Sequence, residues 1–178
     1  INKADQKVYG YPMTPQVSGG MDLSFGYKGF DLSFGLQGVT EVSRGIHDIY
    51  QDPFLNTDND AVLYTYYKHS WTPERAEKGT VKWPRNTFEN DDYNTRSSDF
   101  WNRNSSFIRL KRAELGYTFD RSTLKITGIQ RLRIYLRGNN LYTLTPEEFT
   151  MVDPERRTGG FIGYPLVKLF KAGLNVTF

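Results

Sequence analysis

The stretch Val167 to Phe178 (VKLFKAGLNVTF) alternates apolar and polar side chains and finishes on an aromatic. Successive side chains of a strand point to opposite faces, so Phe170, Ala172, Leu174, Val176 and Phe178 share one face. Lys171, Gly173, Asn175 and Thr177 share the other. One face suits lipid, the other water. An edge strand of this kind is an aggregation hazard in a soluble protein, whereas closure into an outer-membrane barrel removes the edge. Residues 167–178 are therefore expected to be the closing strand of a transmembrane antiparallel β-barrel, with Phe170, Leu174, Val176 and Phe178 serving assembly and closure.

The same period-two template finds four further strands. Met21, Leu23, Phe25 and Tyr27 alternate with polar residues or glycine, and so do Phe30, Leu32, Phe34 and Leu36. Only Lys28 and Gly29 separate the two runs, which predicts a tight hairpin over 17–39. A third strand starts near Phe107, with Ala113, Leu115, Tyr117 and Phe119 opposite Arg112, Glu114, Gly116 and Thr118. Its first half breaks the pattern, since Arg109 and Lys111 fall on the apolar face. That half must either rise above the hydrocarbon or carry a bulge that flips the register. A fourth strand sets Leu132, Ile134 and Leu136 against Arg131, Arg133, Tyr135 and Arg137. Residues 107–141 thus read as two barrel strands joined by a short turn at 120–130.

Connection lengths supply an independent constraint. The links run short (28–29), long (40–106), short (120–130) and long (142–166), and alternate links of an antiparallel meander lie at the same end. Membrane barrels have this asymmetry, with short periplasmic turns and long extracellular loops. By this parity the last strand ends in the periplasm, and 1–16, 40–106 and 142–166 are extracellular. Five strands cannot close a membrane barrel, for which eight is the small limit. The rest are expected upstream in the same polypeptide or in other copies; a start without Met or a leader-like segment favours the former.

Composition is compatible with this reading. Hydrophobic residues are 38% and charged residues 24%, and the mean hydropathy is −0.60. No run of about 20 apolar residues exists, which excludes a transmembrane helix. A barrel escapes that test because every second residue faces a wet interior. Aromatics reach 15%, as expected of strands and interfacial belts. A net charge of +3 gives no footprint for nucleic acid. Absence of cysteine removes disulfides and thiol chemistry. Two histidines, His47 and His69, are too few for a catalytic or metal cluster, and neither a phosphate loop nor a nucleophile motif is present, so no enzyme is expected.

The segment 40–106 holds all three tryptophans and an acidic excess. Tyr66, Tyr67, Trp71, Trp83 and Trp101 are candidates for ligand or partner contact, because flat faces with polar edges stack on sugars and peptides. The plainer reading is that a loop this long needs its own small core. Trp101 is the strongest structural candidate. No cofactor is expected; the pairs Asp58 and Asp60, and Asp91 and Asp92, offer oxygen ligands for calcium but lack the spacing of a dedicated loop. Arg112, Glu114, Arg131, Arg133 and Arg137 are lumen-facing candidates, forming either a positive lining for anionic ligands or a set of ion pairs with Glu114 and acids of a plug, with pairing favoured.

Several motifs then converge on one family. They are Tyr27 to Ser33 (YKGFDLS) with the hairpin around it, Ser98 to Trp101 (SDFW) followed by Ser106 to Lys111 (SFIRLK), Leu115 to Tyr117, Leu132 to Tyr135 with Gly138 to Leu141, Asp153 to Glu155, Gly163 to Pro165, and the final Gly173 to Phe178. In that order they resemble the SusC/RagA-type TonB-dependent transporters of the Bacteroidetes outer membrane. The resemblance implies a 22-stranded barrel plugged by an N-terminal domain. It also implies a SusD-like surface lipoprotein as lid, energy from the TonB complex, and oligosaccharides or peptides as substrate. Phe178 and its strand look like the signal read by the barrel-insertion machinery. Two other readings stay open: a soluble β-sandwich glycan-binding module, and a non-transporting barrel adhesin.

Overall fold

The computed structural model describes residues 3–46, 64–87, 93–124, 128–149, 153–155 and 166–178. They divide into two compact units. One holds the described residues within Tyr11–Val42, Asn104–Glu155 and Pro165–Phe178; the other holds those within Ile1–Gly10 and Ser43–Arg103.

The first unit is built on a single antiparallel sheet. Its strands are β1 (Val17–Tyr27) and β2 (Phe30–Thr40), followed after the small strands β3 (Ser43–Gly45) and β4 (Asn102–Asn104) by β5 (Phe107–Asp120), β6 (Arg131–Leu144) and β7 (Leu169–Thr177). The sheet order is β1-β2-β5-β6-β7, and β3 pairs with β4 apart from it. The β1–β2 turn has φ of 45° at Lys28 and 85° at Gly29. Left-handed backbone at both positions is the type I′ turn, whose twist matches that of paired strands. Only glycine fits the second position, because a Cβ there would lie 2.9 Å from the Thr118 carbonyl oxygen. The Gly29 carbonyl accepts from the Thr118 N–H at 2.8 Å, tying the turn to β5.

The break foreseen in the third strand is a bulge. Leu36 pairs with Leu110 and Gly35 with Arg112, so Lys111 is the extra residue. One extra residue reverses which side chains face which side. Arg109 therefore turns to the polar face, opposite Gln37, while Leu110 joins Leu36 on the apolar one. Facing Lys111 on β6 are two residues, Asn140 and Leu141. Asn140 takes φ of 53°, absorbing the surplus, and the strand runs on to Leu144 rather than stopping at Leu141. β7 is shorter than the expected 167–178, with Phe178 just beyond it. The link after β5 begins with a single helical turn, α3 (Arg121–Leu124).

Register places Leu23, Phe34, Ala113 and Gly138 in one row, and Leu132 opposite Val176 and Ile134 opposite Leu174 in others. One face of the sheet is consequently apolar across all five strands, and it is open: Leu136 is 62% and Phe170 73% exposed. Aromatic contacts knit this face, as between Phe30 and Tyr117 at 4.5 Å and between Tyr117 and Phe119 at 4.6 Å. No helix among the described residues is long and apolar enough to cross a membrane.

The second unit contains two short helices, α1 (Tyr64–His69) and α2 (Pro73–Glu77), in a stretch the alternation pattern left as loop. Thr72 caps α2: its Oγ1 accepts the Arg75 N–H at 3.2 Å, with proline at the first helical position. The core is aromatic. Trp83 stacks on Tyr66 at 5.6 Å and on Trp101 at 6.3 Å, and Phe100 meets Trp101 edge-on at 4.8 Å. The Trp101 indole N–H donates to the Asn94 carbonyl at 2.6 Å, and its carbonyl accepts the Ile46 N–H at 2.8 Å.

Candidate functional site

Two places in the chain concentrate functional chemistry: the polar face of the five-stranded sheet, and a cleft in the second unit.

On the polar face, acids from the hairpin meet bases from later strands. Arg133 on β6 donates Nε to Asp31 Oδ1 at 3.0 Å and Nη2 to Glu114 Oε1 at 2.7 Å, with a further contact from Nη2 to Asp31 Oδ2. Arg137 donates Nε to the other oxygen of Glu114. Glu114, 7% exposed, thus holds two guanidiniums. Arg112 pairs with Asp22 at 2.9 Å in the open. Arg131 stands opposite Asp120 and Thr177 in register and forms no ion pair among the described residues.

The acid partners reach across glycines. Asp22, Gly35 and Arg112 occupy one row of β1, β2 and β5. Strands lie ~4.8 Å apart, so the outer two are about 10 Å apart at the backbone. A Cβ on Gly35 would sit 2.6 Å from Asp22 Oδ1, and one on Gly116 would sit 2.6 Å from both Asp31 oxygens. Each glycine is a trough through which a carboxylate passes over the middle strand. Charges are mutually neutralised, so this part of the wall is rigid and polar without a positive excess.

Nearer the other end, the bulge brings in Arg109, which is 3% exposed. Its Nη1 and Nη2 donate to Glu155 and Asp153, each at 2.8 Å, and its Nε to Thr143 Oγ1 at 3.0 Å. Gln37 donates to the second Glu155 oxygen at 3.3 Å. Asp153 also accepts the Glu155 N–H at 2.8 Å, shaping the short turn that presents both acids. Alternation placed Asp22 and Asp31 on the polar face but gave them no partners, and Arg109 had no role.

In the second unit a cleft of about 1470 Å³ is lined by Trp71, Tyr93, Arg85 and Arg96 among others. Trp71 and Tyr93 are exposed, as is Tyr67. Tyr66 and Trp101, each 1% exposed, are interior. Both belong to the aromatic stack through Trp83 in the unit's own core, and Trp101 also borders the cleft. Trp83 lies between them, half-buried. His69 Nδ1 lies 3.1 Å from the Thr80 carbonyl. His47, Asp58, Asp60, Asp91 and Asp92 lie outside the described residues, among which no cluster of three metal-ligating side chains occurs. Phe170, Leu174, Val176 and Phe178 are all exposed, the first three in the apolar rows.

No protein-family model matches the chain. A curated relative, TonB-dependent receptor P3 of Formosa agariphila, is 30% identical over 190 residues, covering all of this chain and 18% of its own length. Among solved structures, the RagAB peptide importer in its open-open state matches 94% of the chain with a TM-score of 0.65 and 25% identity. The RagAB peptide transporter matches the same share with a TM-score of 0.61 and 27% identity. In both, this chain covers 18% of the matched chain.

Proposed function

This chain belongs with the TonB-dependent outer-membrane transporters of the SusC/RagA type, as a segment of their β-barrel, and on that basis we propose that it forms part of the wall and outer mouth of a nutrient importer. The observation that carries this is the two-faced sheet, open and apolar on one side and cross-braced by ion pairs on the other. Strands of 9 to 14 residues suffice for a tilted membrane crossing, which needs about 9–11. A β-sandwich would cover the apolar face with a second sheet, and exposures such as that of Phe170 speak against that.

In this reading the apolar face meets lipid and the ion-paired face lines the lumen beside a plug. The hairpin turn at Lys28 and Gly29 and the end of β7 lie in the periplasm, and the connection 40–106 is extracellular. Tyr67, Trp71 and Tyr93 are among its exposed aromatics, suited to touch a SusD-like lipoprotein lid or a peptide or oligosaccharide passing beneath it. Transport draws on the TonB complex through the plug. Phe178 belongs to the signal for the barrel-insertion machinery, and its deletion is expected to deplete the full transporter from the outer membrane; wild-type levels would defeat that role.

The import function is tested by deleting the gene for the whole transporter and measuring uptake of labelled oligopeptides and oligosaccharides. Loss of one class, restored by the gene in trans, is expected. Unchanged uptake of both, or recovery of the protein in the detergent-free soluble fraction, contradicts the proposal.

A further inference from the structure

On the polar face of the five-stranded sheet, side chains pass over a glycine of the neighbouring strand in three places. Asp22 passes Gly35 and meets Arg112; Asp31 passes Gly116 and meets Arg133. Each of those reaches ends on a partner two strands away. The third is made by Tyr135 on β6, paired in register with Gly173 on β7. A Cβ on Gly173 would clash with both Cζ and the hydroxyl oxygen of Tyr135. Among the described residues β7 is the edge of the sheet, so this reach ends on its outer side.

The ring is held in this pose. Arg133 and Arg137, two residues to either side on the same face, lie 5.0 and 5.8 Å from its centroid. The Tyr135 hydroxyl makes no hydrogen bond to a described residue. Lys171, beside Gly173 on the same face, forms no ion pair among them. The inner side of this edge is therefore basic and presents a spare hydroxyl donor. Its matched relatives are several times longer than this chain, so a transporter barrel has strands beyond these five to cover that edge.

We propose that Tyr135 is a clasp across the seam of the barrel: its hydroxyl donates over Gly173 to a carboxylate on the lumenal face of the strand that pairs with the free edge of β7. The occupant is an antiparallel barrel strand of the same polypeptide. Its acid stands in the row of Tyr135 and Gly173, repeating the bridging geometry seen at Gly35 and Gly116. This rests on the barrel reading above.

The test uses the full-length transporter in its own outer membrane. With Tyr135→p-benzoylphenylalanine, irradiation is expected to crosslink position 135 to a barrel strand outside this chain, within a peptide carrying an acidic residue at that row. Capture of the plug, of a second protein or of residues within this chain, or no capture, overturns the clasp. Tyr135→Phe, which keeps the ring, and Gly173→Ala, which expels it, are each expected to lower the temperature at which the compact barrel band is lost on gels by a few degrees. An unchanged midpoint for Tyr135→Phe also overturns it. If the wild-type protein shows no heat-modifiable band, the barrel reading itself fails, which separates the two outcomes.

Discussion

Glu114 is the residue on which the inner face depends most. It is enclosed and holds Arg133 and Arg137 together, so losing its charge leaves Arg137 without a carboxylate among the described residues, while Arg133 keeps Asp31. Removing one member of a buried pair costs roughly 3–5 kcal/mol, whereas an exposed pair is worth about 0–1 kcal/mol. Glu114→Gln, whose arginine partners are partly solvated, is therefore expected to destabilise the full barrel by about 2 kcal/mol, and Arg112→Met, which breaks only the open pair with Asp22, by less than about 1 kcal/mol. Urea midpoints of the heat-modifiable band check this, and equal shifts for the two variants would refute the ranking. Alternation alone places Asp22, Asp31 and Glu114 on the arginine side. Which acid meets which base depends on register across two strands and on the troughs at Gly35 and Gly116, and no local pattern encodes that.

At the scale of elements, the bulge at Lys111 decides the chemistry of β5. Arg109 out of phase signalled a fault in the strand, and the pattern left two ways to resolve it. The structure uses the extra residue, because turning Arg109 inward gives it Asp153, Glu155 and Thr143 as partners. Deleting Lys111 takes out the bulge and leaves strict alternation, with Arg109 and Arg112 on the polar face and Leu110 on the apolar one. Keeping that residue without a bulge would instead put Arg109 on the lipid face, where an arginine costs up to ~2–4 kcal/mol at the midplane and less near the interfaces. The deletion is therefore expected to leave folded transporter in the outer membrane near wild-type amounts, measured by blotting and heat-modifiability; a sharp loss would show that the strand needs the bulge itself and not only an inward Arg109. The hairpin was legible because Lys28 and Gly29 carry turn chemistry between two clean alternations. The extension of β6 was not, since Asn139 and Asn140 interrupt the alternation where the backbone bends and resumes.

For the whole molecule, five strands with one common apolar face were readable from period two, since that face repeats in every strand. The second unit was not. Its core joins Tyr66, Trp83 and Trp101, residues far apart in sequence with no shared period, so only Trp101 stood out as structural, and nothing local told the half-buried Trp83 from the exposed Trp71. The central claim is that the apolar face meets lipid and the charged face meets the lumen. The chain has no cysteine, so single cysteines at 131–137 and 170–176, in a cysteine-free full-length transporter reconstituted in bilayers, can each carry one nitroxide. Accessibility to oxygen and to a water-soluble nickel chelate then reads the surroundings of each label. The account predicts a period of two, with Leu132, Ile134, Leu136, Phe170, Ala172, Leu174 and Val176 exposed to oxygen and shielded from the chelate, and Arg133, Tyr135, Arg137, Lys171 and Gly173 shielded from oxygen. Chelate access at the apolar positions, or no alternation, would contradict it.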